Sequence, residues 1–434
     1  MDLTIYPSKL AGEVTPPSSK SQAHRALIAA ALGGGISTIS NLADSQDIQA
    51  TRRCLSALGA LVEDLGPGTL RVHGLGNSIP QAGPFPTLDC GESGSTLRFL
   101  IPVALLVQGQ AAFTGRGRLM ERPLAPYEDL FRGKGIGWSM EHGVLTLDSG
   151  RGYDRLALDP GEYRLPGDVS SQFITGLLFA LPLLPDGSRL VVEGARESAS
   201  YLQLTLRALA TFGLTPREQE EGWTIASQGY ASPGVVQVEG DWSNAAPWLC
   251  LGMLGGEGVT VTGMDLDSLQ GDRAVCRVLA AMGGQVRTAA DRVTVLPGPR
   301  VPTRMDARDI PDLVPVLAAV AAATPGVTEI TGAARLRLKE SDRLETTARM
   351  LNGVGGQVEE TADGLLIRGR SHRSGGQVDA AGDHRIAMAA AVASGACTGP
   401  VTITGAQAVE KSYPTFWAEL RSLGKQVEET PVGP

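Results

Sequence analysis

One short phrase occurs six times along this chain. It reads as a strand bounded by turn residues: Gly35-Ile36-Ser37-Thr38-Ile39-Ser40-Asn41, Ala111-Ala112-Phe113-Thr114-Gly115 and Arg189-Leu190-Val191-Val192-Glu193-Gly194. It returns as Gly258-Val259-Thr260-Val261-Thr262-Gly263, Gly326-Val327-Thr328-Glu329-Ile330-Thr331-Gly332 and Pro400-Val401-Thr402-Ile403-Thr404-Gly405. The copies recur roughly every 70 to 80 residues, a longer period than that of common solenoids and propellers. Each copy follows an apolar, small-residue-rich stretch whose first residues are polar. A chain built this way must place six similar helix starts in six similar surroundings.

A second phrase reinforces the period. A helical pattern ends at glycine and runs into alternating residues, as in Leu279-Ala280-Ala281-Met282-Gly283-Gly284-Gln285-Val286 and Met350-Leu351-Asn352-Gly353-Val354-Gly355-Gly356-Gln357-Val358. Glycine there supplies a left-handed helix end, and the alternation reads as half-buried antiparallel strands. Each unit is therefore predicted as strand, helix, strand, helix, strand, strand. The apolar helices are expected at 21–32, 95–107, 171–184, 244–254, 312–323 and 384–393. They are apolar nearly all round and should be buried. Pro247 and Pro315 fit first turns, whereas Pro102 and Pro182 should kink or end their helices.

The six units divide as three plus three. A length of 434 residues also favours two cores over one. One domain is expected over 1–16 plus 234–434 and the other over 17–233, with crossovers near 16–18 and 229–234. The strand at 3–6 is a candidate to pair with the C-terminal half.

Composition narrows the function. The net charge of −8 argues against a general nucleic-acid binder, so any cationic site must be local. The five cysteines have neither metal-ligand spacing nor disulfide density, which suggests a reducing cytoplasm. No basic region with a following apolar run marks a signal peptide at Met1, and no apolar stretch is long enough to span a bilayer.

The helix starts carry the chemistry. They read Ser19-Lys20-Ser21, Glu92-Ser93-Gly94-Ser95, Val169-Ser170-Ser171-Gln172, Asp241-Trp242-Ser243-Asn244, Ile310-Pro311-Asp312 and Gly382-Asp383-His384-Arg385. Ser, Asp and Asn are ordinary N-caps. Helix N-termini also bind anions, and Lys20, Arg25, Arg98 and Arg385 sharpen that reading. Further cations lie in Arg116-Gly117-Arg118-Leu119-Met120-Glu121-Arg122-Pro123, in Arg335-Leu336-Arg337-Leu338-Lys339-Glu340-Ser341-Asp342-Arg343 and at Lys411. Arginine offers a fork to carboxylate or phosphate, and lysine a mobile point charge. Surface charge is the default reading of Arg116, Arg118 and Arg337.

Taken in order, these motifs resemble the 5-enolpyruvylshikimate-3-phosphate synthase family over essentially the whole chain. Lys20-Ser21 with Arg25, the run Gly91 through Arg98, Glu121-Arg122-Pro123, Ser170-Ser171-Gln172, Ile310-Pro311-Asp312, Leu338 through Arg343, Gly382-Asp383-His384-Arg385 and Lys411 carry the likeness. The resemblance implies an α/β fold, the inside-out α/β barrel, with two domains of three βαβαββ units. It implies transfer of the enolpyruvyl group of phosphoenolpyruvate to the 5-hydroxyl of shikimate 3-phosphate in aromatic amino-acid biosynthesis. No cofactor and no metal are required, and a cytoplasmic monomer without nucleic-acid or membrane partners is expected.

The resemblance also assigns roles. Lys20, Asp312 and Glu340 are the catalytic group: Glu340 for proton exchange at the methyl carbon, Asp312 for the hydroxyl, Lys20 as acid near the leaving phosphate. Shikimate 3-phosphate falls to Lys20, Ser21, Arg25, Ser170, Ser171, Gln172, Ser198, Asp312, Arg335 and Lys339. Phosphoenolpyruvate falls to Lys20, Gly94, Arg122, Gln172, Arg343, Arg385 and Lys411. His384 is a positioned neighbour. The two domains are expected to close on the ligands.

Three positions depart from the family pattern, one of them Arg335, which stands where some members have asparagine. Glu92 stands where asparagine is usual, and a carboxylate facing inward would repel phosphoenolpyruvate. Ser95 replaces threonine and keeps the hydroxyl. Gly94 is intact, so the small space used by phosphoenolpyruvate and glyphosate is expected to be open. The sister transferases acting on UDP-N-acetylglucosamine carry a cysteine in the loop corresponding to 115–122, and none occurs here. A repeat scaffold without activity would have shorter periods and no need of Lys339-Glu340 beside Asp383-His384-Arg385.

Overall fold

In the computed structural model, which describes residues 1–76, 85–151, 155–194 and 199–430, the repeat becomes six four-stranded sheets. Each sheet has one parallel pair and two antiparallel pairings. In the first, Val235–Gln237 runs parallel to Ile36–Ser40, which pairs antiparallel with Thr69–His73, and Leu61–Gly66 closes the edge. The same order recurs in Thr87–Asp89, Gln110–Thr114, Val144–Asp148 and Gly137–Glu141. The repeated phrase is in every case the strand shared by both kinds of pairing, including in the sheet that contains the N-terminus, where Val401–Thr404 pairs parallel with Gly376–Asp379 and antiparallel with Asp2–Ile5.

That sheet explains the permuted ends. Asp2–Ile5 lies between Val401–Thr404 and Val427–Thr430, antiparallel to both, with Leu3 opposite Ile403. Ala11–Val14 runs parallel to Gly258–Val261. The first residues thus complete two sheets of the C-terminal half, and the pairing raised from the sequence is present.

The chain divides into two compact units, Met1–Ser19 with Glu239–Pro434, and Lys20–Val238. The crossovers therefore fall later than 16–18 and 229–234. Ser19 N donates to Glu239 O, and Ser18 bridges Gly240, so residues 17–19 stay with the first unit. Val235–Gln237 pairs with Ile36–Ser40, which retains 234–238 in the second.

The apolar helices are Lys20–Leu32, Gly94–Gln108, Ser171–Ala180, Trp242–Leu254, Val314–Ala322 and His384–Ser394. Leucine, valine and alanine on nearly every face leave no solvent side, and these helices form the cores of the two units. Each buried Leu or Phe contributes about 1.5–3 kcal/mol. The amphipathic helices and hairpins cover them. Gly283 (φ 93°) and Gly355 (φ 86°) make the left-handed turns from amphipathic helix to hairpin.

One proline, Pro247, behaves differently from expectation. Pro182 ends its helix in a 3-10 turn, Leu181–Leu183. Pro102 lies inside Gly94–Gln108 without ending it, and Pro247 lies inside Trp242–Leu254 rather than in its first turn. The latter helix starts two residues before 244 because Asp241 caps it, accepting from Asn244 N at 3.0 Å. A proline inside a helix leaves the carbonyl four residues earlier without its usual partner. Those carbonyls belong to Arg98 and Ser243.

Candidate active site

The expected site residues form two groups, one in each unit. In Lys20–Val238, Lys20 is the first residue of its helix, and its ammonium donates to Asp47 at 2.8 Å. Asp47 stands in the first turn of Gln46–Ala57, where a helix N-terminus favours negative charge. Four residues past Lys20, the fully buried His24 shares a hydrogen bond with Thr51 Oγ1 at 2.7 Å. Burial, then the charges of Lys20 and Arg25, hold His24 well below the usual histidine range, so it stays neutral. The hydroxyl chain continues from Thr51 to Thr96 at 2.7 Å and from Thr96 to Ser93, the N-cap of the Gly94 helix. A buried polar chain thus fixes the Lys20 helix against the Gly94 helix.

Ser21 begins the same helix, and its carbonyl accepts Arg25 Nη1 at 2.7 Å. Arg25 also donates to Thr205 Oγ1 and Tyr201 O, at 2.9 and 3.0 Å. Burial lowers its pKa to about 10. Much of this guanidinium is engaged by the protein itself.

Arg122 packs directly on Gly94. A Cβ added at Gly94 would lie 2.6 Å from Arg122 Nη1 and 3.0 Å from Cζ. The space above Gly94, expected to be open, is filled by this guanidinium, and the glycine is what permits its approach. Arg98 organises the surroundings. It donates to Gln172 Oε1 at 2.7 Å and to Pro123 O at 3.2 Å, and its guanidinium lies 5.1 Å from the Phe173 ring centroid. Gln172 donates onward to Ser95 Oγ at 3.0 Å. Ser170 caps Ser171–Ala180, accepting from Gln172 N, and Ser171 is buried beside it. Glu92 Oε2 would stand 2.9 Å from a Cβ at Gly117, so this carboxylate lies against the 115–118 loop. Ser198 lies outside the described residues.

In Met1–Ser19 with Glu239–Pro434, one buried arginine gathers three carboxylates. Arg343, only 2% exposed, donates to Asp312 Oδ1 at 2.9 Å, to Glu340 Oε2 at 2.7 Å and to Asp383 Oδ2 at 2.8 Å. Burial disfavours its charge, but Asp383, Glu340 and Asp312 outweigh that and raise its pKa above the ordinary value. Asp342 sets the position of Arg343 by capping its helix, accepting from Leu344 N and Glu345 N at 3.1 Å. Asp383 caps the next helix through Arg385 N and also receives Ser341 Oγ. His384 is buried, 3.8 Å from Asp383 Oδ1.

Asp312 is not a cap. It lies in the 3-10 turn Pro311–Leu313, with Arg343 at 2.9 Å, Arg385 Nη2 at 3.6 Å and Lys339 at 3.9 Å. Burial would raise its pKa; Lys339, Arg385 and Arg343 overcome this and hold its carboxyl well below the usual range. Burial likewise lowers Lys339, to about 8. Lys411 donates to Gly382 O at 2.6 Å, which places it at the turn before Asp383. Arg335 donates to Arg308 O, one turn from the cluster. The group therefore presents four cations, Lys339, Arg343, Arg385 and Lys411, around two partly exposed carboxylates, Asp312 and Glu340. Such an arrangement can hold a polyanion and move protons beside it.

Sequence reasoning missed Asp47, Thr51, Thr96 and Asp272, the last a buried carboxylate that receives the Ser243 hydroxyl. Only Asp47 left a trace, as an acidic residue after the Ser45 cap. Among the described residues, no group of three or more His, Cys, Asp or Glu is arranged to hold a metal, and no helix is long and apolar enough to cross a membrane.

Residues 5–420 match the family model described as EPSP synthase (3-phosphoshikimate 1-carboxyvinyltransferase). The chain is 44% identical over 434 residues to the 3-phosphoshikimate 1-carboxyvinyltransferase of Clostridium kluyveri, covering 99% of each. It is 39% identical over 442 residues to that of Clostridium novyi, covering 100% of this chain and 99% of the relative. The solved EPSP synthase of Acinetobacter baumannii superposes with a TM-score of 0.77 at 26% identity, over 99% of this chain and 100% of that one. An enolpyruvyl transferase from Streptomyces tendae, at 20% identity and a TM-score of 0.78 over 99% and 98% of the two chains, shares the fold.

Proposed function

The chain belongs to the EPSP synthase family, and from that premise we propose how its residues transfer the enolpyruvyl group of phosphoenolpyruvate to shikimate 3-phosphate. The reaction joins a hydroxyl of one substrate to C2 of the other and releases phosphate. Addition needs the hydroxyl proton removed and a proton delivered to the methylene carbon, giving a tetrahedral ketal. Elimination takes a proton back from the new methyl group as the C–O bond to phosphate breaks.

The observation that carries the reading is the Asp312–Arg343–Glu340 arrangement, two carboxylates on one buried guanidinium. Glu340 exchanges the proton with the methylene carbon. Asp312 accepts the hydroxyl proton at the 5-position. In the free protein Asp312 is too weak a base for that, because Lys339, Arg385 and Arg343 stabilise its anion. Those same cations are the ones assigned to the substrates. A bound polyanion shares their charge, so the basicity of Asp312 rises when substrate is present. Arg385, Lys411 and Arg343 take phosphoenolpyruvate in the first unit, and Arg122 and Gln172 do so in the second. Lys20, oriented by Asp47, protonates the leaving phosphate. Ser170, Ser171 and Lys339 hold shikimate 3-phosphate, with Arg335 near the ring hydroxyls.

Phosphate release on mixing the protein with both substrates tests this. Release must require shikimate 3-phosphate and must not occur with UDP-N-acetylglucosamine instead. Glu340→Gln should abolish solvent-deuterium incorporation at the methylene carbon. Release without shikimate 3-phosphate would overturn the proposal.

A further inference from the structure

One hydrogen bond that the helix Trp242–Leu254 cannot make lies beside Arg385. Pro247 is inside this helix and has no N–H. The carbonyl that would have received it belongs to Ser243, and Arg385 Nη1 donates to that oxygen at 2.9 Å. Ser243 is held from its other end as well. Its hydroxyl donates to Asp272 Oδ2, and Asp272 lies in the 3-10 turn Gly271–Ala274. Asp272 and Arg385 are each 4% exposed. Among the described residues, Asp272 Oδ1 and Arg385 Nε have no hydrogen-bond partner. Leaving buried polar atoms unmatched is costly, and natural proteins keep few of them without a use. The charges facing Asp272 are Asp312 from the Pro311–Leu313 turn, Arg385 from its helix and Asp241 from the helix cap.

We propose that Ser243 is a positioning residue for Arg385. Pro247 keeps the Ser243 carbonyl available, Asp272 anchors the Ser243 hydroxyl, and the two together set the plane in which Arg385 meets the carboxylate of phosphoenolpyruvate. This rests on the assignment of Arg385 to phosphoenolpyruvate. A guanidinium is a planar fork whose value to a carboxylate depends on orientation. A donation from Nη1 to a fixed carbonyl, with Nη2 3.6 Å from Asp312 Oδ2, removes much of the freedom a long side chain would otherwise have. Orientation obtained before the ligand arrives is entropy that binding need not lose.

Pro247→Ala is the decisive variant. It supplies an N–H that competes for the Ser243 carbonyl, while alanine is the better helix former, so folding is not threatened. The expected result is a rise on the order of tenfold in KM for phosphoenolpyruvate, the size of one hydrogen bond to a charged group. KM for shikimate 3-phosphate should stay near the parent's, and Tm should not fall. In a second pair, Asp272→Leu removes the acceptor for Ser243 and should raise KM for phosphoenolpyruvate. Asp272→Asn restores an acceptor and should recover most of the affinity. An unchanged KM in folded Pro247→Ala, a parallel rise for both substrates, or equal damage in Asp272→Asn and Asp272→Leu would overturn the proposal. The parent is assayed first. A parent that releases no phosphate with both substrates refutes the enzymatic assignment, whereas an active parent with an unaffected Pro247→Ala refutes only this one.

Discussion

Replacing Gly94 with alanine tests how Arg122 is placed. The glycine opens the helix Gly94–Gln108 directly after its cap, Ser93, and has no left-handed backbone that a side chain would strain. Alanine is a better helix residue than glycine by roughly 0.5–1 kcal/mol, so the fold should not suffer. The cost falls on Arg122. The new Cβ would lie 2.6 Å from Nη1, 3.0 Å from Cζ and 3.2 Å from Nη2. Ordinary contact begins near 3.4 Å, so the guanidinium must retreat by about 0.8 Å. A displacement of about 1 Å in a binding group can cost on the order of 100-fold, or about 2.7 kcal/mol. KM for phosphoenolpyruvate should therefore rise by ten- to a hundredfold, on the order of 1.4–2.7 kcal/mol. KM for shikimate 3-phosphate should change little, and Tm should hold or increase. Steady-state kinetics with each substrate varied in turn, alongside a thermal melt, reads all three. A double-mutant cycle isolates the cause. Once Arg122→Ala has removed the guanidinium, Gly94→Ala should add almost nothing. Additive effects, or equal rises in both KM values, would refute the reasoning.

Other perturbations follow from single positions. Burial pushes Asp272 up to about 7 in the folded protein, against roughly 3.9 in an unfolded chain. Its contribution to stability is complete below about pH 4 and is lost as pH rises through 7, a range that corresponds to at most about 4 kcal/mol. Asp272→Asn should shrink the drop in Tm between pH 5 and pH 8; an unaltered pH profile of Tm would count against it. Gly176→Ala would put a Cβ 2.2 Å from Tyr127 Oη and 2.6 Å from Arg98 O, inside a packed helix contact. A loss of about 3 kcal/mol or more in denaturant unfolding is expected, and a loss below about 1 kcal/mol would show that the contact yields easily. Glu92→Asn removes a carboxylate from the loop end that leads to Arg122, and should lower KM for phosphoenolpyruvate by up to about fivefold. An unchanged or higher KM would show that the carboxylate does not act on the substrate's charge.

The six sheets were legible because what encodes them is local. Alternation in Val259-Thr260-Val261 and a glycine such as Gly283 act within a few residues, and repetition averages out errors in any one copy. Residues within one turn of a cap were legible for the same reason, which is why Lys20, Gly94, Asp383 and Arg385 stand out in the sequence. Asp47, Thr51 and Asp272 did not, because each acquires its role from a segment far away in the chain: Lys20 for Asp47, Thr96 for Thr51, Ser243 for Asp272. Nothing about an aspartate in an amphipathic stretch announces such a partner.

Pro247 is the instructive case, since its effect was half visible. Proline inside a helix deprives one carbonyl of its donor, and the sequence alone identifies that carbonyl as Ser243 once the helix is known to begin at Trp242. The cap was available to read: Asp241 precedes Asn244 by the three residues that let a carboxylate reach a free N–H. Starting the helix at 244 put Pro247 in the first turn, where a missing N–H costs nothing and implies nothing. A shift of two residues turned a tolerated proline into one that opens an acceptor. The acceptor matters because Arg385, 142 positions away in sequence, is folded against it. Pro247 therefore carries a specific consequence: the carbonyl it frees is met by a donor from a distant segment, and that donor is the arginine assigned to the substrate.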